Sequence, residues 1–321
     1  MIESFPMDVS VVVPVYGGTD ALPELCARVD AALRNLGLTY EVILVDDRGQ
    51  SHAWDMITSL AELHREVSGI RLSRNFGQHA ATICGISSAR GQWIVTMDDD
   101  LEHPPESIGA LLSATSVDRP LVYGVFEKRT HAGYRNVTSE LMRWCLKRAF
   151  PDMNENYTSF RVIHARLAKQ LARFDLNRPY IDGLLSWLTS NASAVVVPHG
   201  ERRHGESTYT LRKLISHAIN ILVTYSHLPL RIVTYSGAVL SFFSFVYLLY
   251  IIGGKLTGLI TDPGYTSLMS VVLLACGIQL LILGTLGEYL GRLMGAVYKR
   301  PIYSVEQTSR QDASPQLPAR R

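Results

Sequence analysis

Three consecutive acidic residues, Asp98, Asp99 and Asp100, are the part of this sequence whose residue types point most directly to chemistry. They directly follow residues 93–97, an apolar run that predicts a buried strand. Adjacent carboxylates repel one another unless a cation neutralises them. Mg²⁺ and Mn²⁺ take oxygen ligands from one or two carboxylates and complete their shell with substrate phosphates. The triplet therefore predicts a metal–diphosphate site; the alternative is a solvated acidic turn that caps the next helix.

Two other predicted strands also end in residues that could bind a ligand. Residues 9–15 are followed by Tyr16, and residues 41–45 are followed by Asp46 and Asp47. Open α/β sheets bind ligands at the carboxyl ends of their strands. A carboxylate there can accept hydrogen bonds from a base N–H or a ribose hydroxyl, and a tyrosine can pack on a ring. No one of these signals is specific, but three strand ends at one edge indicate a ligand-binding crevice.

The elements that must position these residues alternate between short β-branched runs and longer helical patterns from residue 9 to about residue 198. Further strands are predicted at residues 70–72, 121–125 and 194–197, and helices at residues 22–33, 54–63 and 80–89. This alternation predicts an α/β fold, a parallel or mixed sheet with helices on both faces.

Composition excludes several classes of protein. The net charge of +2 and the absence of a basic arm or zinc-finger spacing argue against nucleic acid as a partner. The four cysteines are far apart and predict ordinary thiols of a reducing compartment. The first residues show no basic or apolar signal-peptide region, so we expect the first domain to fold in the cytosol.

Two runs without charged residues, 232–254 and 265–287, lie near the C-terminus. Each is long enough to cross about 30 Å of hydrocarbon, although a buried helical hairpin in a soluble protein is the alternative. Lysines and arginines flank the pair on both sides, which predicts a multi-pass membrane protein with the first domain and both termini in the cytoplasm. Small residues in and just after the second run predict self-association into a homo-oligomer, and they are Gly277, Gly284, Gly287 and Gly291.

Two basic amphipathic segments, residues 133–150 and 206–230, predict helices that lie on the surface of the lipid bilayer. Packing of each helix on its own domain is the alternative. The proposed domains are therefore a cytosolic domain over residues 1–205, the interface helix at 206–230, two transmembrane helices within 231–291 and a cytosolic tail at 292–321. The polar end of that tail, from about Thr308, predicts disorder.

Several motifs in order carry a family resemblance that extends to about Tyr303. They are Val12-Val13-Pro14-Val15-Tyr16, Val45-Asp46-Asp47, Arg74-Asn75-Phe76-Gly77-Gln78, Asp98-Asp99-Asp100-Leu101 with Pro104-Pro105, Phe160-Arg161, Glu201-Arg202, Gly205-Glu206-Ser207 and Leu286-Gly287-Glu288-Tyr289-Leu290-Gly291-Arg292. With them the sequence resembles family 2 glycosyltransferases of the GT-A fold. Within that family it is similar to polyprenyl-phosphate glycosyltransferases, which include dolichol-phosphate mannose synthase and bacterial glucosyl and aminoarabinose-type transferases.

The resemblance implies a donor site, a metal and a lipid acceptor. It implies a nucleotide-sugar donor bound by Pro14, Tyr16, Asp46, Asp47, Arg74, Asp98 and Asp99. A divalent cation, Mg²⁺ or Mn²⁺, would be held by Asp98, Asp100 and Glu102, and the catalytic residues would be Asp98, Asp100 and Arg161. The acceptor would be a polyprenyl phosphate, undecaprenyl phosphate in a bacterium, and its phosphate would be bound by Arg161, Arg202, Ser207, Lys128, Arg129 and Arg135.

The sequence departs from the family pattern at four places, which are Gly17-Gly18 where Asn-Glu is frequent, Glu102 for Gln, Ser159 for an Asp and Thr208 for a Lys. These departures affect the choice of donor more than the type of reaction. A non-catalytic membrane adaptor that binds sugar nucleotide or lipid is the alternative from another class. A processive polysaccharide synthase fits less well, because two spans are too few for a polymer channel.

Overall fold

An eight-stranded mixed sheet is the centre of the first of two units into which the chain divides. The computed structural model describes residues 5–16, 19–49, 52–116, 118–126, 150, 156–174, 179–198, 228–257, 264–297 and 301–310. The first unit comprises Met1–Val137, Asp152–Tyr209 and Lys299–Arg321, and the second comprises Thr138–Pro151 and Thr210–Tyr298.

The strands and helices alternate through most of the first unit, as the pattern predicts. The strands are β1 Met7–Val15, β2 Tyr40–Asp46, β3 Val67–Leu72, β4 Gly91–Thr96, β5 Leu121–Phe126, β6 Arg161–His164, β7 Ala192–Val197 and β8 Val305–Thr308. The helices of this unit are α1 Leu22–Asn35, α2 Ala53–Leu63, α3 Gln78–Ser88, α4 Ile108–Ser113, α5 Ala165–Leu171 and α6 Ile181–Leu188.

The order of strands across the sheet is β7-β5-β6-β4-β1-β2-β3-β8. Strands β4, β1, β2 and β3 are mutually parallel, so their carboxyl ends lie side by side at one edge. β6 and β8 run antiparallel to their neighbours β4 and β3. The expected mixed α/β sheet is thereby confirmed, while β6 and β8 are strands that the sequence pattern did not predict.

Apolar burial explains why these segments form layers. Every residue of β2 is buried, because the central strands are covered on both faces. Helix α1 buries one stripe of residues at helical spacing, and these are Leu22, Leu25, Cys26, Val29 and Leu33. Helix α3 lies close against the sheet at Gly85, where an added Cβ would be 2.4 Å from Val12 Cγ1.

The second unit contains two long helices, α7 Leu228–Leu256 and α8 Tyr265–Val297. They contain the two uncharged runs, 232–254 and 265–287. Of the helices within the described ranges, one meets the length and composition of a membrane span, over Leu274–Gly291 in α8. The predicted interface segment 133–149 and residues 206–227 lie outside the described residues, as do Lys128, Arg129, Arg135, Arg202 and Ser207.

The tail after α8 differs from the expectation in its first part. Strand β8 pairs with β3, and Ser309 and Arg310 continue it in defined backbone. The disorder predicted from about Thr308 therefore does not begin there. Residues 311–321 lie outside the described residues.

Candidate functional site

The turns that follow β1, β2, β3 and β4 are joined to one another by hydrogen bonds. Tyr16 N–H donates to Asp99 Oδ2 at 3.0 Å, which joins the turn after β1 to the turn after β4. Gln78 Nε2 donates to Asp98 Oδ1 at 2.5 Å, which joins the turn after β4 to the first residue of α3, directly after the loop that follows β3. The predicted strand-end residues are thus brought together at one edge of the sheet.

Asp47 connects the turn after β2 to the loop after β3 and to the end of β1. Its carboxylate accepts hydrogen bonds from Phe76 N–H at 2.7 Å and Gly77 N–H at 2.8 Å, and its own N–H donates to Val15 O at 3.0 Å. Gly77 has φ of +94°, in the region that favours glycine, and it precedes the first residue of α3. Asp47 therefore holds the loop after β3 against the ends of β1 and β2.

Asp46 is fully buried at the end of β2 and differs from Asp47 in its contacts. Its Oδ1 accepts a hydrogen bond from Arg48 N–H at 2.9 Å. Its Oδ2 lies 3.3 Å from Arg71 Nε, but within the described part of the chain neither atom has a hydrogen-bond partner. Burial raises the pKa of the Asp46 carboxyl, and the nearby N–H groups and arginines oppose that rise.

The turn after β2 touches the turn after β1 so closely that it requires a glycine. A Cβ added at Gly49 would be 1.9 Å from Tyr16 O. Tyr16 is 58% exposed, so its ring is available to pack on a ligand. Pro14 is buried within β1 opposite Val45, and the exposed Arg74 guanidinium lies 4.5 Å above the Phe76 ring.

The acidic turn has a backbone conformation of its own. Leu101 is buried with φ of +64°, and Glu102 N–H donates to Asp100 Oδ1 at 3.1 Å. The Asp98 carboxylate also accepts a hydrogen bond from Ser159 Oγ at 2.8 Å. This compact turn holds Asp98 against Ser159 and buries Asp100.

His103 supports the acidic turn from within the protein. Its Nδ1 accepts a hydrogen bond from Asp98 N–H at 3.0 Å, and its ring stacks on Phe160 and Phe126 at 5.2 and 5.7 Å between centroids. Burial lowers the pKa of His103, against the nearby acids that would raise it. A neutral imidazole with Nδ1 as acceptor is the form that fits this contact.

Arg161 lies beneath the acidic turn and is almost completely buried in β6. Its guanidinium forms an ion pair with Asp182 of α6, and its Nε donates to Thr96 Oγ1 at 3.0 Å. Thr96 Oγ1 in turn donates to Ser159 O at 2.6 Å. Burial has the largest single effect and would lower the pKa of Arg161, but the charges of Asp182, Tyr123 and Asp98 and the hydrogen bond to Asp182 together outweigh it, so the pKa is raised. Arg161 thus has a protein partner, and its predicted contact with phosphate stays a prediction.

The acidic turn matches the chemistry of a hard divalent cation but does not enclose one by itself. Within the described ranges, no three His, Cys, Asp or Glu side chains form a group that could hold a metal ion. Asp98, Asp100 and Glu102 are therefore not assembled as a three-ligand cage. Mg²⁺ and Mn²⁺ need only one or two carboxylates where substrate phosphates supply further oxygens, so the donor set still fits.

Sequence reasoning missed four residues that shape this site, which are Gly49, Gln78, His103 and Asp182. Gln78 and His103 lie inside or next to motifs that were recognised, and that proximity was the available signal. Asp182 had no such signal, since a single Asp within an apolar helix resembles many surface residues.

Comparison with known proteins assigns both parts of the chain. The family model "Glycosyl transferase family 2" matches residues 10–174, and "GtrB C-terminal hairpin" matches residues 228–293. The chain is 30% identical to the undecaprenyl-phosphate 4-deoxy-4-formamido-L-arabinose transferase of Pseudomonas paraeruginosa, over 96% of this chain and 93% of that protein. It is 31% identical to the protein of the same name from Klebsiella pneumoniae, over 94% of each.

A solved structure shows the same fold at lower sequence identity. Glucosyl-3-phosphoglycerate synthase of Mycobacterium tuberculosis, crystallised with Mn²⁺, UDP and phosphoglyceric acid, superposes with a TM-score of 0.52 and 18% identity. The match covers 68% of this chain and 77% of that chain. It confirms the kind of α/β sheet that the strand pattern predicts.

Proposed function

The chain belongs to glycosyl transferase family 2, and from that premise we propose that it transfers a sugar from a nucleotide-sugar donor to a polyprenyl phosphate. It is a glycosyltransferase with the GT-A fold. The observation that carries the proposal is the set of hydrogen-bonded strand-end turns that brings Tyr16, Asp47 and the acidic triplet to one edge of the sheet. Similarity to undecaprenyl-phosphate transferases over nearly the full chain supports the acceptor, in the modification of a cell-envelope glycan or lipopolysaccharide.

The donor would bind with its nucleoside at the turns after β1 and β2. Tyr16 offers an exposed ring for stacking. Asp46 Oδ2 is buried 3.3 Å from Arg71 Nε and has no hydrogen-bond partner among the described residues, so it keeps the capacity to accept a hydrogen bond from a ligand. We therefore assign the recognition of a base N–H or ribose hydroxyl to Asp46, with Asp47 as the residue that positions the loop after β3.

The diphosphate would lie at the acidic turn. A divalent cation held there by Asp98 and Asp100 would stabilise the charge of the departing nucleoside diphosphate. Gln78 and Ser159 fix the orientation of the Asp98 carboxylate, and His103 fixes its backbone. Mn²⁺ and UDP in the mycobacterial enzyme support this assignment.

The acceptor needs little activation in this reaction. A phosphate monoester is already an anion at neutral pH, so its oxygen can attack the anomeric carbon while the bond to the diphosphate breaks and the configuration inverts. No general base is then required at Ser159, whose hydroxyl donates to Asp98 in the structure. The cations Lys128, Arg129, Arg135 and Arg202 with Ser207 stay predicted contacts of the lipid phosphate.

The test is transfer of radiolabelled sugar from UDP-, GDP- and dTDP-sugars to undecaprenyl phosphate by the full-length protein in lipid vesicles. We expect a chloroform-soluble product that requires both the lipid phosphate and Mn²⁺ or Mg²⁺, and that EDTA abolishes. Absence of product from every donor, with nucleotide still bound, would favour the non-catalytic adaptor. A long water-soluble polymer would instead indicate a polysaccharide synthase.

We also propose that the hairpin crosses the inner membrane twice, with the catalytic domain and the tail both in the cytoplasm. Strand β8, which follows the hairpin, pairs with β3, and this pairing supports a topology with both flanks of the hairpin on the same side of a bilayer. Such a topology requires an even number of crossings. The hairpin family match and the apolar window in α8 support two spans.

Cysteine labelling tests this topology. In a variant whose four native cysteines are serines, we expect Thr261→Cys to react with a membrane-impermeant maleimide in intact cells. Ser304→Cys, one residue before β8, should react only after lysis. Reaction of Ser304→Cys in intact cells, or of Thr261→Cys only after lysis, would contradict two crossings.

A further inference from the structure

The segment that follows the hairpin is built into the edge of the catalytic sheet. Strand β8 is antiparallel to β3, with Ile70 opposite Thr308 and Arg71 opposite Gln307. The pairing continues on both sides, since Ser73 N–H donates to Ser304 O at 2.8 Å and Ser309 N–H donates to Gly69 O at 2.9 Å. The sheet edge at β3 is thus covered by residues that the chain reaches only after α8.

Two side chains anchor this segment to the helices that flank β3. The Arg310 guanidinium donates to Ala61 O at 2.6 Å and His64 O at 3.2 Å, which are carbonyls at the C-terminal end of α2. Tyr303 is buried and its hydroxyl forms a hydrogen bond with Ser87 in α3, and burial raises the pKa of Tyr303 to about 12. The segment therefore contacts both helices that begin after the donor-site turns.

A third side chain reaches the donor-site turn itself. Glu306 of β8 forms an ion pair with Arg48, whose Nε also donates to Leu72 O at 3.1 Å. Arg48 has φ of +57°, a conformation that a residue with a side chain adopts only where its surroundings hold it. The N–H of this same residue donates to Asp46 Oδ1.

We propose that Glu306 is a positioning residue of the donor site, which acts through Arg48 to hold the turn that presents Asp46 to the nucleotide. The inference rests on the proposed function, because it takes Asp46 as the nucleotide contact. It gives the post-hairpin strand a role in donor binding as well as in completing the sheet.

Hydrogen exchange in the full-length protein tests, without any substrate, whether Glu306 holds the turn after β2. We expect Glu306→Gln, which keeps the side-chain size but removes the charge, to accelerate exchange of the amides of residues 46–49 by about three- to fivefold, the range of a partly exposed ion pair. Gln307→Ala, an exposed change on the same strand, should leave these amides unchanged. Unchanged exchange at residues 46–49 in Glu306→Gln overturns the proposal, as does an equal acceleration throughout the sheet.

Nucleotide binding provides the functional arm of the test. With Mn²⁺ present and UDP, GDP and dTDP as probes, the nucleotide that the wild type binds best should bind about three- to fivefold more weakly to Glu306→Gln. Glu306→Asp should restore part of the loss, and Arg48→Gln combined with Glu306→Gln should be no weaker than Arg48→Gln alone. Equal binding by Glu306→Gln and the wild type, or additive losses, overturns the proposal.

The two arms separate this inference from the proposed function. If the wild type binds none of the three nucleotides, the proposed function fails, and the exchange of residues 46–49 still decides whether Glu306 holds the turn. If the wild type binds a nucleotide and transfers sugar but Glu306→Gln changes neither exchange nor binding, the proposed function stands and the positioning role is overturned.

Discussion

Asp100→Asn is expected to reduce sugar transfer by about three orders of magnitude in kcat/KM while the protein stays folded. Asparagine keeps an oxygen for the hydrogen bond from Glu102 N–H and nearly the same volume at a position that is 8% exposed. What it removes is the negative charge that we propose holds a cation against the diphosphate. Loss of several kcal/mol of charge stabilisation in the transition state corresponds to about a thousandfold in rate.

Asp100 is a cleaner target than Asp98, because Asp98 also accepts hydrogen bonds from Gln78 and Ser159. The exposed Asp118, on the loop before β5, provides a matched control in Asp118→Asn. Steady-state transfer should be measured across a Mn²⁺ titration for the wild type and both variants, with the thermal unfolding midpoint as the check of folding. Turnover by Asp100→Asn at the wild-type rate would refute the metal assignment.

The sequence predicts the part of the site that depends on local pattern. Apolar runs followed by Tyr16, Asp46 or the acidic triplet indicate strands that end in polar turns, and parallel strands place those turns at one edge. The structure confirms that arrangement. These polar residues can be placed at the carboxyl ends of the strands from hydrophobic periodicity and sheet topology alone, because that placement does not depend on which side chains contact each other.

The contacts between these turns could not be predicted from pattern. Asp46 and Asp47 are adjacent and identical in type, yet Asp47 binds two backbone N–H groups of the loop after β3, whereas Asp46 Oδ2 lies 3.3 Å from Arg71 Nε and has no hydrogen-bond partner in the described structure. That difference arises from the alternating direction of successive side chains at the end of β2. Sequence reasoning assigned the same role to both residues.

Non-local pairing explains the other omissions. Strand β8 has the sequence Val-Glu-Gln-Thr, which is too short and too polar to predict a strand, and it forms because β3 offers an unpaired edge. Its consequence for function is direct, since truncation before the hairpin would remove β8 as well as the membrane spans. A loss of activity in such a truncated protein would therefore not measure the contribution of the spans alone.

The same limit applies to Arg161. Its place directly after Phe160 in a family motif predicts a cation for phosphate, but the fold buries it against Asp182 of α6, a partner 21 positions away in the chain. Its hydrogen bond to Thr96 then connects this ion pair to Ser159, whose hydroxyl contacts Asp98. The structure thus favours an effect of Arg161 on catalysis through the position of the acidic turn.

Arg161→Met is expected to destabilise the catalytic domain by about 3–5 kcal/mol, because it leaves the Asp182 carboxylate buried without its counter-ion. For a domain of this size the thermal unfolding midpoint should fall by roughly 10 °C or more. Arg173→Met, an exposed change, is the control and should shift the midpoint by little.

The double variant Arg161→Met with Asp182→Leu distinguishes positioning from direct phosphate binding. Removing both charges together avoids an unpaired buried ion, so most of the lost stability should return. If Arg161 acts by positioning the acidic turn, the double variant, with its stability restored, should keep its KM for polyprenyl phosphate and lose mainly kcat. A KM for the lipid phosphate that rises about tenfold or more at restored stability would instead show that the guanidinium binds the acceptor itself.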